Sequence, residues 1–116
     1  MPKAWKQSRE GVPSVESPAS LAESKIFGAE LSGLAPTVDL HGLDSEAGIH
    51  ELDLFLHSAF MRGEDVVKII HGRGTGKMRE AVHTFLPLQE IVETFRDGQS
   101  IGEISGVTYV VLKKST

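Results

Sequence analysis

Two short runs in this 116-residue chain hold the side chains best suited to chemistry: Asp39-Leu40-His41-Gly42, and His71-Gly72-Arg73-Gly74-Thr75-Gly76-Lys77. In an extended chain, residues two apart share a face. A strand running through His41 therefore sets the Asp39 carboxylate beside an imidazole. An ionised carboxylate there favours the protonated ring and fixes its tautomer, which suits proton transfer or a phosphate contact. In the second run, glycines let backbone approach a phosphate closely. The helix expected beyond it, with Lys77 and Arg79 among its first residues, offers unpaired N–H groups to an anion. Each run also has a plainer reading, a turn-capping aspartate with a surface histidine in one and a tight positive-φ turn in the other.

Two nucleotide motifs compete for the second run. A Walker A loop requires glycine where His71 stands and serine or threonine where Met78 stands, so Gly76-Lys77 does not make one. A dinucleotide fingerprint comes closer, since Gly72-x-Gly74 follows a strand-like run and Asp97 lies some way on. Its third glycine falls at Lys77, however, and the 19 residues from 98 to 116 are too few to finish a doubly wound sheet.

The elements that position these runs can be read from periodicity. Thr37 to Leu40 is a short strand ended by His41-Gly42. From about Ser45 to Arg62, Leu52, Phe55, Leu56, Ala59 and Phe60 recur at three- and four-residue steps, which predicts a helix stopped by Gly63. His50 and His57 fall on its polar face. Val66 to Ile70 is β-branched and predicts a buried strand. Lys77 to about Leu86 predicts a second helix with Met78, Ala81, Val82 and Phe85 as its apolar stripe and His83 on its surface. Ile91–Phe95 and Val107–Leu112 close the chain as strands. The order β-α-β-α-β-β suits an α/β two-layer sandwich: a four-stranded mixed sheet, two helices, and first two strands parallel through a right-handed crossover. Residues 1–36 hold four of the five prolines and read as a flexible N-terminal arm, with Trp5 and the Ile26 to Leu34 stretch as its sticky points. The domain proper is expected at 37–114.

Net charge of -4 excludes a protein that coats nucleic acid through bulk phosphate neutralisation. One segment is nevertheless locally basic, through Arg62, Lys68, Arg73, Lys77 and Arg79. No run approaches the roughly 18 apolar residues of a membrane span. The N-terminus has no secretory apolar run, and the chain has no cysteine. A cytoplasmic location with no membrane partner is the expectation.

The paired motifs resemble the Smr (small MutS-related) family, stand-alone type, whose D-L-H-G and H-G-x-G signatures match Asp39–Gly42 and His71–Gly74. Leu52, Phe55, Leu56, Ala59 and Gly63 also fall where that family has those types, as does the block Val66 to Val82. The resemblance implies the fold shared with the C-terminal domain of translation initiation factor three. It further implies nucleic-acid binding and, in many members, endonuclease activity that nicks DNA or cleaves RNA. Carried over, Asp39 and His41 are the catalytic pair, and His71, Gly72, Arg73 and Gly74 form the backbone-binding loop, which Gly76, Lys77 and Arg79 extend. The chain departs from the family's Gly-Gly-x-Gly-Ala-Thr loop at Gly102 to Thr108, where Glu103 would add negative charge beside the phosphate.

Two chemistries fit such a site. With RNA, His41 activates the neighbouring 2′-hydroxyl without a metal. With DNA, water is the nucleophile and a divalent cation such as Mg²⁺ ordinarily helps. One aspartate and two histidines could hold a metal, but their spacing is not diagnostic. The alternative function is a non-catalytic module that binds nucleic acid or docks on the ribosome, or an adaptor whose arm recruits a protein.

Overall fold

A computed structural model of the chain describes residues 18–114, with side chains from residue 21 onward. Helix α1 spans Pro18–Ser32, strand β1 Thr37–Asp39, helix α2 Ser45–Met61, strand β2 Val66–Ile70, helix α3 Lys77–Phe85, strand β3 Val92–Asp97 and strand β4 Val107–Leu112. A single 3₁₀ turn at Leu86–Leu88 follows α3.

The strands form one four-stranded sheet in the order β1-β2-β4-β3. β1 runs parallel to β2, with Asp39 opposite Ile70, the two joined by a crossover through α2. The other two pairings are antiparallel, which makes the sheet mixed as expected. Helix α2 begins where the Asp44 carboxylate accepts from the Ala47 N–H at 2.8 Å. It ends where Gly63 takes a φ of +77°. Leu52, Leu56 and Ala59 of α2 and Val82 of α3 are buried with Leu40, Val67, Ile69, Val110 and Leu112 in the principal core.

The expectation of a two-layer sandwich with two helices needs correction. Helix α1, placed by sequence in a flexible arm, lies against the opposite face of the sheet. Ala22 and Ile26 are buried there with Val66, Val107, Tyr109 and Val111. Polar contacts add to this packing: Arg96 donates to Glu30 Oε1 at 2.9 Å and to Glu23 at 3.0 Å, and the Gln99 N–H donates to Glu30 at 2.7 Å. The Arg96 hydrogen bond, outweighing burial, holds the Glu30 carboxyl below its ordinary range. Covering both faces explains why all six residues of β4 are buried. Alternate side chains enter each core, Val107, Tyr109 and Val111 on one side, Val110 and Leu112 on the other. Trp5 lies outside the described residues.

Candidate active site

β1 and β2 are adjacent and parallel, so their C-terminal ends emerge at one edge of the sheet, where open α/β sheets place their ligand sites. The Leu40 N–H donates to the Ile70 carbonyl at 2.7 Å, carrying the pairing one residue past β1 and bringing the two His-Gly ends side by side. A Cβ built on Gly72, whose φ is +79°, would stand 3.2 Å from the His41 Cβ. Glycine at 72 thus serves both the backbone angle and the approach of the two motifs.

Asp39 and His41 meet, but through a turn rather than the extended strand expected: β1 ends at Asp39, and His41 lies in the turn that follows. The Asp39 Oδ1 lies 2.7 Å from the His41 Nδ1 and also accepts from the His41 backbone N–H at 3.0 Å. These hydrogen bonds, the side-chain one first, hold the Asp39 carboxyl below its ordinary range. With Nδ1 turned to the carboxylate, Nε2 is the ring nitrogen left for a ligand. The imidazole is two-thirds exposed. It lines a cleft of ≈ 420 Å³ whose walls are the 41–45 turn and the 71–78 loop.

That loop is a chain of left-handed glycines, with φ +79° at Gly72, +31° at Gly74 and +85° at Gly76. Gly76 is the N-cap of α3 and supplies no side-chain cap. The Lys77 N–H has only a long contact of 3.3 Å with the Thr75 hydroxyl. Apart from that long contact, the first turn of α3 presents amides that the N-cap residue leaves uncapped, an arrangement suited to an anion.

The expected cradle residues divide into two groups. Gly72, Arg73, Gly74, Gly76 and Lys77 line the cleft together. Arg73 is also a tie between loops: its Nε donates to the Ile104 carbonyl at 2.9 Å and its Nη2 to the Gly102 carbonyl at 3.1 Å. Gly106, whose carbonyl accepts from the His71 and Gly72 N–H groups at 3.0 Å each, lies beneath it. His71 also borders the cleft, but its ring, like the Arg79 side chain, is engaged elsewhere. The His71 side chain is buried, with Nε2 at 2.9 Å from the Thr108 hydroxyl and Nδ1 at 3.1 Å from the Gly72 carbonyl. Arg79 is paired with Asp97 through Nη2 and through Nε at 3.2 Å. His71 consequently shapes the loop from behind, and a metal shared by Asp39, His41 and His71 has no geometric basis.

Glu103 overturns its expectation as well. Its carboxylate accepts from Tyr109 Oη at 2.9 Å and lies 2.8 Å from Lys68 Nζ, on the α1 side of the sheet rather than beside the cleft. Of the locally basic segment, Lys68 is thus matched by Glu103, Arg79 by Asp97, and Arg62 by Glu64 at 3.6 Å. Arg73 and Lys77 are the basic side chains that line the cleft.

His83, assigned by sequence to a helix surface, is half-buried. Its Nε2 lies 2.9 Å from the Thr108 hydroxyl and 3.2 Å from Asp97 Oδ1, and its ring packs edge-on against Phe95 at 5.1 Å. Burial lowers the pKa of both His71 and His83, with the Arg79 charge adding to the effect on His83. Burial raises the Asp97 carboxyl, but the Arg79 hydrogen bond and charge outweigh it and hold it low. His83, Asp97 and Thr108 were missed because they are 11 to 25 residues apart and meet only across α3, β3 and β4.

A four-stranded mixed sheet that brings an Asp-imidazole pair and a glycine-rich helix start to one edge defines a small α/β domain with a glycine-walled cleft at that edge. The chain belongs to the Smr domain family, whose model matches residues 38–113. It is 42% identical over 83 residues to the endonuclease MutS2 of Clostridium acetobutylicum, a match covering 72% of this chain and 10% of that protein. The chain thus spans about a tenth of the length of the MutS2 relatives it matches. Among solved structures, the Smr domain of Thermus thermophilus MutS2 superposes with a TM-score of 0.65 at 36% identity, covering 68% of this chain and 99% of that one. YdaL, a stand-alone small MutS-related protein from Escherichia coli, gives 0.66 at 26% identity, covering 76% and 74%. No helix among the described residues is long and apolar enough to cross a membrane.

Proposed function

We propose that this domain is a nucleic-acid endonuclease of the Smr type, with His41 as the proton-transferring group. The observation that carries this reading is the 2.7 Å Asp39–His41 contact at the mouth of the cleft. Asp39 holds the proton on Nδ1 and leaves Nε2 as the base, the same division of labour that a carboxylate imposes on a catalytic histidine elsewhere. His41 Nε2 takes the proton of the attacking hydroxyl. The uncapped amides at the start of α3, with Arg73 and Lys77, hold the scissile phosphate and stabilise the charge that develops on it. Arg73 spends two of its five donors on carbonyls, so it can serve the phosphate while remaining fixed.

In RNA the attacking group is the neighbouring 2′-hydroxyl, which forms a cyclic phosphate as the P–O5′ bond breaks; in DNA it is water, which breaks one P–O ester bond. In each the leaving oxygen takes up a proton, from protonated His41 or from water. Magnesium asks for about six oxygen ligands. Its sites commonly take one or two carboxylates with substrate phosphate and water, so the Asp39 carboxylate and the bound phosphodiester would be the groups that hold such an ion, whose chemistry would be to polarise the phosphate and the attacking water. The relationship to MutS2 endonucleases supports nucleic acid as the substrate class.

The test is cleavage of labelled structured RNA and of supercoiled DNA by the wild type and by an Asp39→Ala/His41→Ala variant, in Mg²⁺ and in EDTA. Loss of cleavage with binding retained is expected. Cleavage that survives EDTA and stops at a single 2′-deoxy substitution identifies the 2′-hydroxyl route. Equal background from both proteins, with binding intact, would replace the nuclease with a binding module.

A further inference from the structure

Behind the cleft, four donor atoms from three elements and one loop converge. They are His71 Nε2 at the end of β2, His83 Nε2 on α3, Asp97 Oδ1 on β3 and Thr108 Oγ1 on β4. The two histidines and Asp97 offer ligand atoms that all lie within 4.8 Å of one another. Thr108 Oγ1 is 2.9 Å from each imidazole and 3.3 Å from Asp97 Oδ1, and His83 Nε2 is 3.2 Å from Asp97 Oδ1. A tetrahedral ion with ligand bonds near 2.0–2.1 Å separates its ligands by about 3.3 Å. Two edges of this donor set, at 3.3 and 3.2 Å, therefore already have the right length, and the two at 2.9 Å need only open slightly.

We propose that His71, His83 and Asp97, with the Thr108 hydroxyl at the fourth corner, form a site for a nitrogen-preferring first-row divalent ion of the zinc type. Two observations besides the spacing favour it. The Nδ1 of His71 is 3.1 Å from the Gly72 carbonyl, the outer hydrogen bond that fixes a metal-binding tautomer and leaves the Nε2 lone pair facing the cluster. Arg79 grips Oδ2 of Asp97, which orients Oδ1 inward. For His83 to bind, its ring proton moves from Nε2 to Nδ1, and no proton is released. Two imidazoles and one carboxylate select zinc, cobalt or nickel over magnesium and calcium. A bound ion would tie the residue before Gly72 to α3, β3 and β4, stiffening the phosphate loop from behind. This proposal does not depend on whether the cleft cleaves its ligand.

The untagged full chain is titrated with Zn²⁺ by calorimetry and with Co²⁺ by visible absorption. One equivalent of Zn²⁺ is expected, along with the intense d–d bands of four-coordinate Co²⁺ and a melting temperature raised by about 11–22 °C at a hundredfold excess over Kd. His83→Gln and Asp97→Asn, both at half-buried positions, should each weaken binding at least tenfold. His57→Gln, at an exposed histidine beside Asp53, should leave it unchanged. Weak octahedral Co²⁺ bands, an unmoved melting temperature, or binding lost with His57 and kept without His83 would each overturn the proposal.

Discussion

Gly72 and Gly63 form a matched pair for testing how the two motifs meet. Their φ angles are +79° and +77°, yet a Cβ at Gly63 meets nothing within 4 Å, whereas one at Gly72 would stand 3.2 Å from the Cβ of His41. Alanine at either position incurs the left-handed strain of about 1–2 kcal/mol. In a domain of this size that lowers the melting temperature by roughly 4–15 °C. At Gly72 there is a further cost, because carbon atoms prefer a separation of about 3.5–4.0 Å. His41 must therefore retreat by several tenths of an ångström. A misplacement of about 1 Å can lose a hundredfold in rate, so a shift of this size should lose about tenfold. Gly63→Ala and Gly72→Ala should accordingly both melt early, while only Gly72→Ala slows cleavage and moves the His41 ring resonances in heteronuclear NMR. If Gly72→Ala matched Gly63→Ala in rate and spectrum, the idea that glycine at 72 admits the histidine would fail.

Three further outcomes follow from the ion pairs. Glu30→Gln keeps the side chain's shape but removes the negative charge opposite Arg96 and sets an amide NH2 against a donor where an oxygen had accepted. It should lower stability by about 1–2 kcal/mol at pH 7, read as a melting temperature lower by about 4–15 °C. Because the Glu30 pKa is lowered on folding from its ordinary 4.5, its contribution is fully present above that value and is lost as pH falls through the folded pKa. The wild-type and Glu30→Gln curves should therefore converge in acid, and a deficit that persisted there would rule out the ion pair as its source. Because Arg73 and Lys77 are the basic side chains at the cleft, the slope of log K against log salt should be about −1 to −2, and Lys77→Ala should reduce it by about 0.7–0.9. A slope near −5 would mean that Arg62, Lys68 and Arg79 leave their carboxylates to meet the ligand.

Much of this was legible because its signals are local. The Asp39–His41 contact depends on a local turn in which Asp39 accepts the backbone N–H two residues on, and the Gly72–Gly76 turn on where backbone must pass through positive φ. The strand Val66–Ile70 was readable to the residue because four β-branched positions flank Lys68 between turn formers. What escaped depends on the partner. Lys68 and Arg79 look like free cations in the sequence, and only the register that sets Lys68 opposite Tyr109, and the turn that returns Glu103 beneath it, reveals them as matched.

Helix α1 shows most clearly why an N-terminal segment can resist reading. Its apolar residues do not form one stripe: Ala22 and Ile26 face the sheet, while Phe27 and Leu31 are exposed. No amphipathic period marks it as part of a fold. Its docking rests instead on small contacts with a sheet face that forms from β2 and β4, and on Glu30 meeting Arg96 66 residues away. The same contact joins α1 to the site, because Glu30 also holds the Gln99 N–H at the start of the loop whose Gly102 and Ile104 carbonyls fix Arg73. The helix preceding the matched family segment is thereby connected, through one buried carboxylate and one loop, to the arginine that lines the cleft.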